Sequence, residues 1–160
     1  MKTRNQKAMI GLTAAASLLC AVNIAWILLQ SWYVSIGSGD GCIIWHEELY
    51  PMQITLFAGR LIFKTLFYAL MIVFLAKQTK AIKNGTLFPR KNITVLSAIT
   101  ASYFLGSLCN ANFSECLLTG AGQMNFVIDI DMLLYTAMLI VFTIVYRIAV
   151  GVSEENNLTI

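Results

Sequence analysis

The chain has 160 residues, of which 58% are hydrophobic and only 12% are charged, and its mean hydropathy is +0.73. Soluble domains carry about 25% charged residues, so this composition excludes a water-soluble globular domain and predicts a fold that faces lipid. We attribute the formal net charge of +3 to the sorting of basic residues across a membrane, and expect no direct nucleic-acid binding.

Four apolar segments are long enough to cross the hydrocarbon core of a bilayer, which takes about 20 residues. In chain order they cover residues of about 8–32, 54–76, 93–113 and 126–150. The first follows a basic N-terminus, as in a signal peptide, but it exceeds the apolar region of about 7–15 residues of such signals, so we expect it to be retained. The sequence therefore predicts an all-α integral membrane four-helix bundle, with residues 1–160 as a single domain.

Basic residues are concentrated at alternate ends of the four spans. Lys and Arg accumulate on the cytoplasmic side of a membrane, so we expect both termini, a connector at residues 77–92 and a tail at residues 151–160 to be cytoplasmic. The expected location is the cytoplasmic membrane, with the lipid bilayer as the main partner. The residues that indicate this orientation are Lys2, Arg4, Lys7, Lys77, Lys80, Lys83, Arg90, Lys91 and Arg147.

Two basic residues interrupt the second span. Arg60 and Lys64 lie four residues apart in its outer half, and therefore on one face of a helix. A charge at the bilayer centre costs about 2.5–3.5 kcal/mol on insertion scales, and Asp129 and Asp131 enter the fourth span at a similar depth. The simplest interpretation is an intramembrane charge cluster of these four residues. The alternatives are that both cations extend to the outer interface, or that they form a site for an anion.

Small residues recur every four positions in two of the spans. This spacing lets helix backbones approach closely in lipid, so we expect each stripe to face a neighbouring helix. The residues concerned are Ser17, Ala21 and Ala25 in the first span and Ala98, Ser102 and Gly106 in the third.

Three of the four cysteines lie on or near the expected external side, where oxidising conditions permit a disulfide. Cys42 and Cys116 occupy the two external segments and are the most favourable pair, with unpaired thiols as the alternative. Cys20 is interpreted as a packing residue. The sequence has no Cys-x-x-Cys pair, so a thiol redox enzyme is the least favoured class.

Motifs for other chemistry are absent from the sequence. His46 is the only histidine, which leaves too few ligands for a transition-metal site. There is no Gly-rich phosphate loop and no G-x-S-x-G or H-E-x-x-H motif. We therefore predict a non-enzymatic protein with no catalytic residues, no metal and no cofactor.

The connector and the tail have opposite charge. The connector is basic with an apolar tip around Phe88, whereas the tail is acidic and ends in the apolar Ile160, so the two segments are expected to meet. Asn84 and the glycine after it mark the end of the second helix, and Asn92 is a favourable N-cap for the third.

The same two segments resemble a known family. The pattern Lys-x-Gly-x-x-Phe-x-x-x-Asn in the connector and Glu-Glu-Asn-x-Leu-Thr-Ile at the end of the chain are similar to those of the bacterial membrane proteins grouped as domain-of-unknown-function family 2975. The resemblance implies the four-helix plan and a membrane partner of a small cytoplasmic helix-turn-helix regulator, without an assigned activity. The residues of the connector and the tail that we predict to bind this partner are Lys83, Gly85, Phe88, Asn92, Glu154, Glu155, Leu158 and Ile160.

Two classes of function follow from these features. The first is a non-enzymatic regulatory or interaction protein whose connector and tail bind a small soluble partner. The second is a small transporter or ligand-binding bundle centred on Arg60 and Lys64. A polar cavity joining the second and fourth helices would favour the second class.

Overall fold

The structure, a computed structural model, describes residues 2–36, 50–84, 88–119 and 125–158, with side chains over 7–31, 50–84, 88–117 and 125–155. Within the described ranges the chain forms four α-helices and no strand. The helices are α1 (Lys2–Ile36), α2 (Tyr50–Lys83), α3 (Lys91–Thr119) and α4 (Ile130–Leu158).

Each helix contains a stretch that is long and apolar enough to cross a membrane. The predicted all-α class and the four candidate spans are thereby confirmed. The helices are longer than the predicted spans because they end at turns and caps rather than at the edge of the apolar run. The stretches are Lys7–Ser31, Tyr50–Lys83, Lys91–Leu117 and Ile130–Glu155.

The ends of the helices follow local hydrogen-bonding rules. At the end of α2 the Asn84 amide donates to the carbonyl of Lys80 at 3.1 Å, and the basic Lys80 and Lys83 occupy the last turn, where positive charge is favourable. The predicted N-cap role of Asn92 is wrong. Asn92 is the second residue of α3, and its side chain points inward, where its Nδ2 donates to Gln78 Oε1 at 3.1 Å.

The helices pack mainly on their neighbours in sequence. α2 lies between α1 and α3 and packs on both, whereas α4 packs mainly on α3. A buried apolar cluster joins α2, α3 and α4 at the end near the connector. Its members are Phe74, Leu96, Ile99, Tyr146 and Val150.

One of the two predicted small-residue stripes lies at a helix interface. In α3, Gly106 is buried against α2, and Ser102 is only 4% exposed. The prediction for α1 is wrong, because Ala21 and Ala25 are exposed. α1 instead meets α2 through another face, where the hydroxyls of Thr13 and Thr79 form a hydrogen bond at 2.8 Å.

Large apolar side chains cover the outer surfaces of α1 and α4. Leu12 and Leu18 of α1 are 71% and 67% exposed, and Ile130 and Ile148 of α4 are 79% and 62% exposed. Monomeric soluble proteins rarely expose contiguous apolar surface of this kind. The outer surface of α1 and α4 is therefore suited to contact with lipid or with another apolar partner.

Candidate functional site

A cavity with polar and aromatic walls lies where α1, α2 and α3 meet. Its volume is about 230 Å³. Among the described residues α4 contributes nothing to the lining, so this cavity does not join the second and fourth helices, the arrangement named above as favouring a transporter or ligand-binding bundle. The residues that line it with polar groups are Asn23 and Gln30 of α1, Lys64 and Tyr68 of α2, and Ser102, Tyr103 and Ser107 of α3.

Lys64 reaches the cavity because α2 and α3 are unusually close beside it. A Cβ atom placed on Gly106 would lie 3.2 Å from the backbone nitrogen of Lys64 and 3.4 Å from its Cγ. A side chain at this position would require the backbone of α2 to move by a few tenths of an ångström. The lysine passes Gly106 and its Nζ donates to Asn110 Oδ1 at 3.2 Å, one turn further along α3.

Arg60 lies one turn before Lys64 on α2. Its guanidinium carbon is 5.9 Å from the ring centroid of Phe113, which is the range of a cation–π contact. Arg60 and Lys64 both line a second space of about 50 Å³ between α1 and α2, together with Gln30. Because Gln30 and Lys64 line both spaces, the two cations belong to one polar region.

The structure does not bring the predicted charge cluster together. In the ranges that it describes, no ion pair joins Arg60 or Lys64 to Asp129 or Asp131. Asp129 is instead the N-cap of α4, since its Oδ1 accepts a hydrogen bond from the Asp131 amide at 2.9 Å and its carbonyl accepts one from the Leu133 amide at 3.2 Å. Both aspartates are exposed. The partners of the two cations are thus a neutral amide and an aromatic ring.

Sequence reasoning missed the neutral residues of the site. Asn23 and Gln30 are seven residues apart in α1, which places them on one face of the helix after two turns. Ser107 and Asn110 recur in the same way on α3, three residues apart. The spacing was readable, but uncharged residues gave no electrostatic reason to connect them with Lys64.

A second polar region joins the connector to the end of α4. The Arg90 Nη1 lies 3.9 Å from Glu154 Oε2, with both side chains exposed. The Phe88 ring lies 5.6 Å from the Tyr146 ring in an edge-on contact. The Tyr146 hydroxyl donates to Gln78 Oε1 at 3.2 Å. Phe88 is therefore used at least partly within the chain rather than as a free apolar tip.

The other residues predicted for partner binding are only partly described. Lys83 and Glu155 are exposed, and Leu158 is the last residue of α4, although its side chain is outside the described set. Gly85 and Ile160 lie outside the described residues.

The predicted disulfide stays a prediction. Cys42 lies outside the described residues. Cys116 is fully buried, and its backbone carbonyl accepts a hydrogen bond from Gln53 Nε2 at 3.4 Å. No group of three or more His, Cys, Asp or Glu side chains suited to a metal ion occurs in the described part of the chain.

The fold and the cavity define a class, an all-helical protein with four candidate membrane spans and a cationic cavity among the first three. Comparison of the chain with protein-family models, with curated proteins and with solved structures gives no match. The proposals below therefore depend on the geometry and the sequence.

Proposed function

We propose that the protein is a non-enzymatic, multi-pass membrane protein that binds an anionic ligand in the cavity between α1, α2 and α3. The observation that carries the proposal is the hydrogen bond of Lys64 Nζ to the neutral Asn110 at 3.2 Å. This contact holds the half-buried ammonium group of Lys64, which lines the cavity, without neutralising it. Ionisable residues within a membrane span usually mark a functional site.

Charge magnitudes support an anion as the ligand. A cation at the bilayer centre costs about 2.5–3.5 kcal/mol on insertion scales. An anion about 4 Å from one cation gains about 4 kcal/mol at an effective dielectric constant of 20, before the cost of dehydrating the anion is subtracted. Arg60 and Lys64 together add to this attraction, because both line the same small space. Binding of an anion thus offsets the cost of placing these cations within a membrane span, which the acidic side chains of the described residues do not offset.

The proposed orientation places both termini in the cytoplasm of a bacterial cell and the spans in its cytoplasmic membrane. The distribution of basic residues supports this topology. Exposed basic residues lie where successive helices begin or end on the proposed cytoplasmic side: Lys7 near the start of α1, Lys80 and Lys83 at the end of α2, and Arg90 just before α3. In this orientation Arg60 and Lys64 lie in the outer half of α2, and Phe88 and Tyr146 lie near the cytoplasm.

Binding of octanoate to the purified full chain tests the anion site. We expect Lys64→Met to weaken binding by roughly 10–100-fold, because a hydrogen bond to a charged group contributes about 1.5–3 kcal/mol. Isothermal titration measures the affinity. Lys83→Met is the matched control, since it removes the same charge from the exposed end of α2 and should leave the affinity unchanged.

Equal affinities of the wild type and Lys64→Met for octanoate would contradict the anion site. Lys64→Arg keeps the charge and should bind octanoate more tightly than Lys64→Met. This comparison separates loss of charge from loss of folding.

A second candidate function is docking of a small cytoplasmic protein, such as the helix-turn-helix regulator implied by the family resemblance. The Arg90–Glu154 contact and the Phe88–Tyr146 contact favour it, because they join the connector and the end of α4 into one surface. Exposed charges of this surface would guide the encounter with a partner. Phe88 shapes the surface by packing on Tyr146, with the exposed residues available for direct contact.

Affinity purification of the full chain from native membranes tests this second function. We expect a soluble partner with the wild type and its loss on deletion of residues 153–160 or on Arg90→Glu, which places two negative charges side by side. Lys7→Glu, an exposed reversal on α1, is the control and should retain the partner. Recovery of the same partner with the deleted form would contradict docking at this surface.

A reporter fused after Ile160 tests the orientation. Activity of that reporter outside the cytoplasm would contradict the proposed cytoplasmic location of the C-terminus.

A further inference from the structure

The packing of the helices indicates that the cavity opens between α1 and α3, on the side opposite α2. α2 forms its floor and packs on both α1 and α3, whereas the described residues show no extensive contact between α1 and α3. The α1 wall is exposed at this opening, since Trp26 is 59% exposed and Asn23 and Gln30 are also exposed. In the proposed membrane orientation this opening faces lipid, between α1 and α3.

The size of the cavity limits what it encloses. Its volume of about 230 Å³ is below the roughly 300–1,000 Å³ of pockets that bury most of a drug-sized ligand. The cavity therefore has room for a small group, with the rest of a larger ligand outside. A lateral opening gives that remainder a place among lipid chains.

The lining is divided along the axis of the helices. Gln30 and Lys64 lie at the end that also adjoins Arg60. At the other end of the cavity the lining is uncharged, with the polar Asn23 and Ser102 beside an aromatic group in which the Phe67 ring lies 5.0 Å from Tyr68 and 5.6 Å from Tyr103. α2 runs inward in the proposed orientation, so the cationic end is outer and the aromatic end is nearer the bilayer midplane. This is the polarity of a lipid of the outer leaflet.

We infer that the ligand is a single-chain amphiphile with a carboxylate head, which enters from the outer leaflet between α1 and α3. Its carboxylate contacts Lys64 and Gln30, and its chain runs past Trp26 and the aromatic end of the cavity into lipid. A carboxylate is the smallest common anionic head, which suits the volume. A single chain suits an opening between two helices better than the two chains of a phospholipid. This inference rests on the proposed anion site and adds the class of ligand and its route.

Tail length tests the class of ligand in the full chain reconstituted in bilayer nanodiscs. The probes are butyrate, octanoate, dodecanoate and the methyl ester of dodecanoate. We expect the affinity of the Lys64-dependent site, obtained from the wild-type binding isotherm minus that of Lys64→Met, to rise at least tenfold from butyrate to dodecanoate. The methyl ester has the chain without the charge, and we expect the two proteins to bind it equally.

Fluorescence quenching tests the route. Trp32→Phe and Trp45→Phe leave Trp26 as the only tryptophan, and 9,10-dibromostearate in the nanodisc should quench it in a saturable manner that Lys64→Met abolishes. Lys83→Met should preserve the saturable quenching. Dibromo-phosphatidylglycerol should quench Trp26 to the same extent in both proteins, because it reaches the residue only as surrounding lipid.

The outcomes separate this inference from the anion site itself. Equal Lys64-dependent affinity for butyrate and dodecanoate would overturn the amphiphile and leave the anion site standing. Saturable, Lys64-dependent quenching by dibromo-phosphatidylglycerol but not by dibromostearate would overturn the single-chain class. Absence of any Lys64-dependent binding at every chain length would overturn both proposals.

Discussion

Replacement of Gly106 with leucine is expected to destabilise the protein by about 1–3 kcal/mol, the usual cost of inserting atoms into a packed interface. A Cβ atom at this position would already lie 3.2 Å from the backbone nitrogen of Lys64 and 3.3 Å from the Cβ of Phe63. Backbone atoms of a helix cannot move aside as a flexible side chain does. A leucine therefore separates α2 from α3, and with them the Lys64–Asn110 hydrogen bond. Thermal unfolding in detergent measures the loss of stability.

The same chain offers a close control for this substitution. Gly11 and Gly151 are also helical, but a Cβ atom at either would meet nothing within 4 Å. Leucine at an exposed helix position is favoured over glycine by up to about 1 kcal/mol, so Gly11→Leu and Gly151→Leu should be neutral or slightly stabilising. An unfolding temperature of Gly106→Leu equal to that of these controls would show that α2 and α3 are not in close contact at Gly106.

The sequence predicts the four helices better than it predicts which residues meet at the site. The four apolar runs predicted the helices because lipid demands long apolar segments with internally bonded backbones. The spacing of Ala98, Ser102 and Gly106 correctly placed α3 against a neighbour. The same spacing failed for Ala21 and Ala25, because the spacing of small residues does not say which face of a helix meets another helix.

The partner of Lys64 was beyond prediction from charge alone. Opposite charge pointed to Asp129 and Asp131, but Asp129 has a local use as the N-cap of α4. The choice was decided by packing, since α2 lies against α1 and α3. A neutral amide, Asn110, is therefore the group within reach of the lysine.

Replacement of Asn112 with leucine is the second change with a large expected effect. Asn112 is 2% exposed and ties α3 to the segment that leads into α4. Its Nδ2 donates to the carbonyl of Val127 at 3.0 Å, and its Oδ1 accepts from the amide of Val127 at 3.0 Å. One side chain thus satisfies both backbone groups of Val127, which regular secondary structure would otherwise satisfy.

Leucine has nearly the same size but satisfies neither backbone group of Val127. An unsatisfied buried group costs about 1–3 kcal/mol. Because Val127 is only half-buried, we expect the free energy of unfolding to fall by about the cost of one such group rather than two. Asn112→Asp retains the acceptor for the Val127 amide but places a buried carboxylate oxygen against the carbonyls of Leu108 and Val127, so it should also be destabilising. Hydrogen exchange at the Val127 amide should accelerate strongly in Asn112→Leu, whereas Ser114→Ala, an exposed change on the same helix, should leave it unchanged. Unaltered exchange in Asn112→Leu would show that the segment is held by other contacts and that Asn112 does not fix the entry into α4.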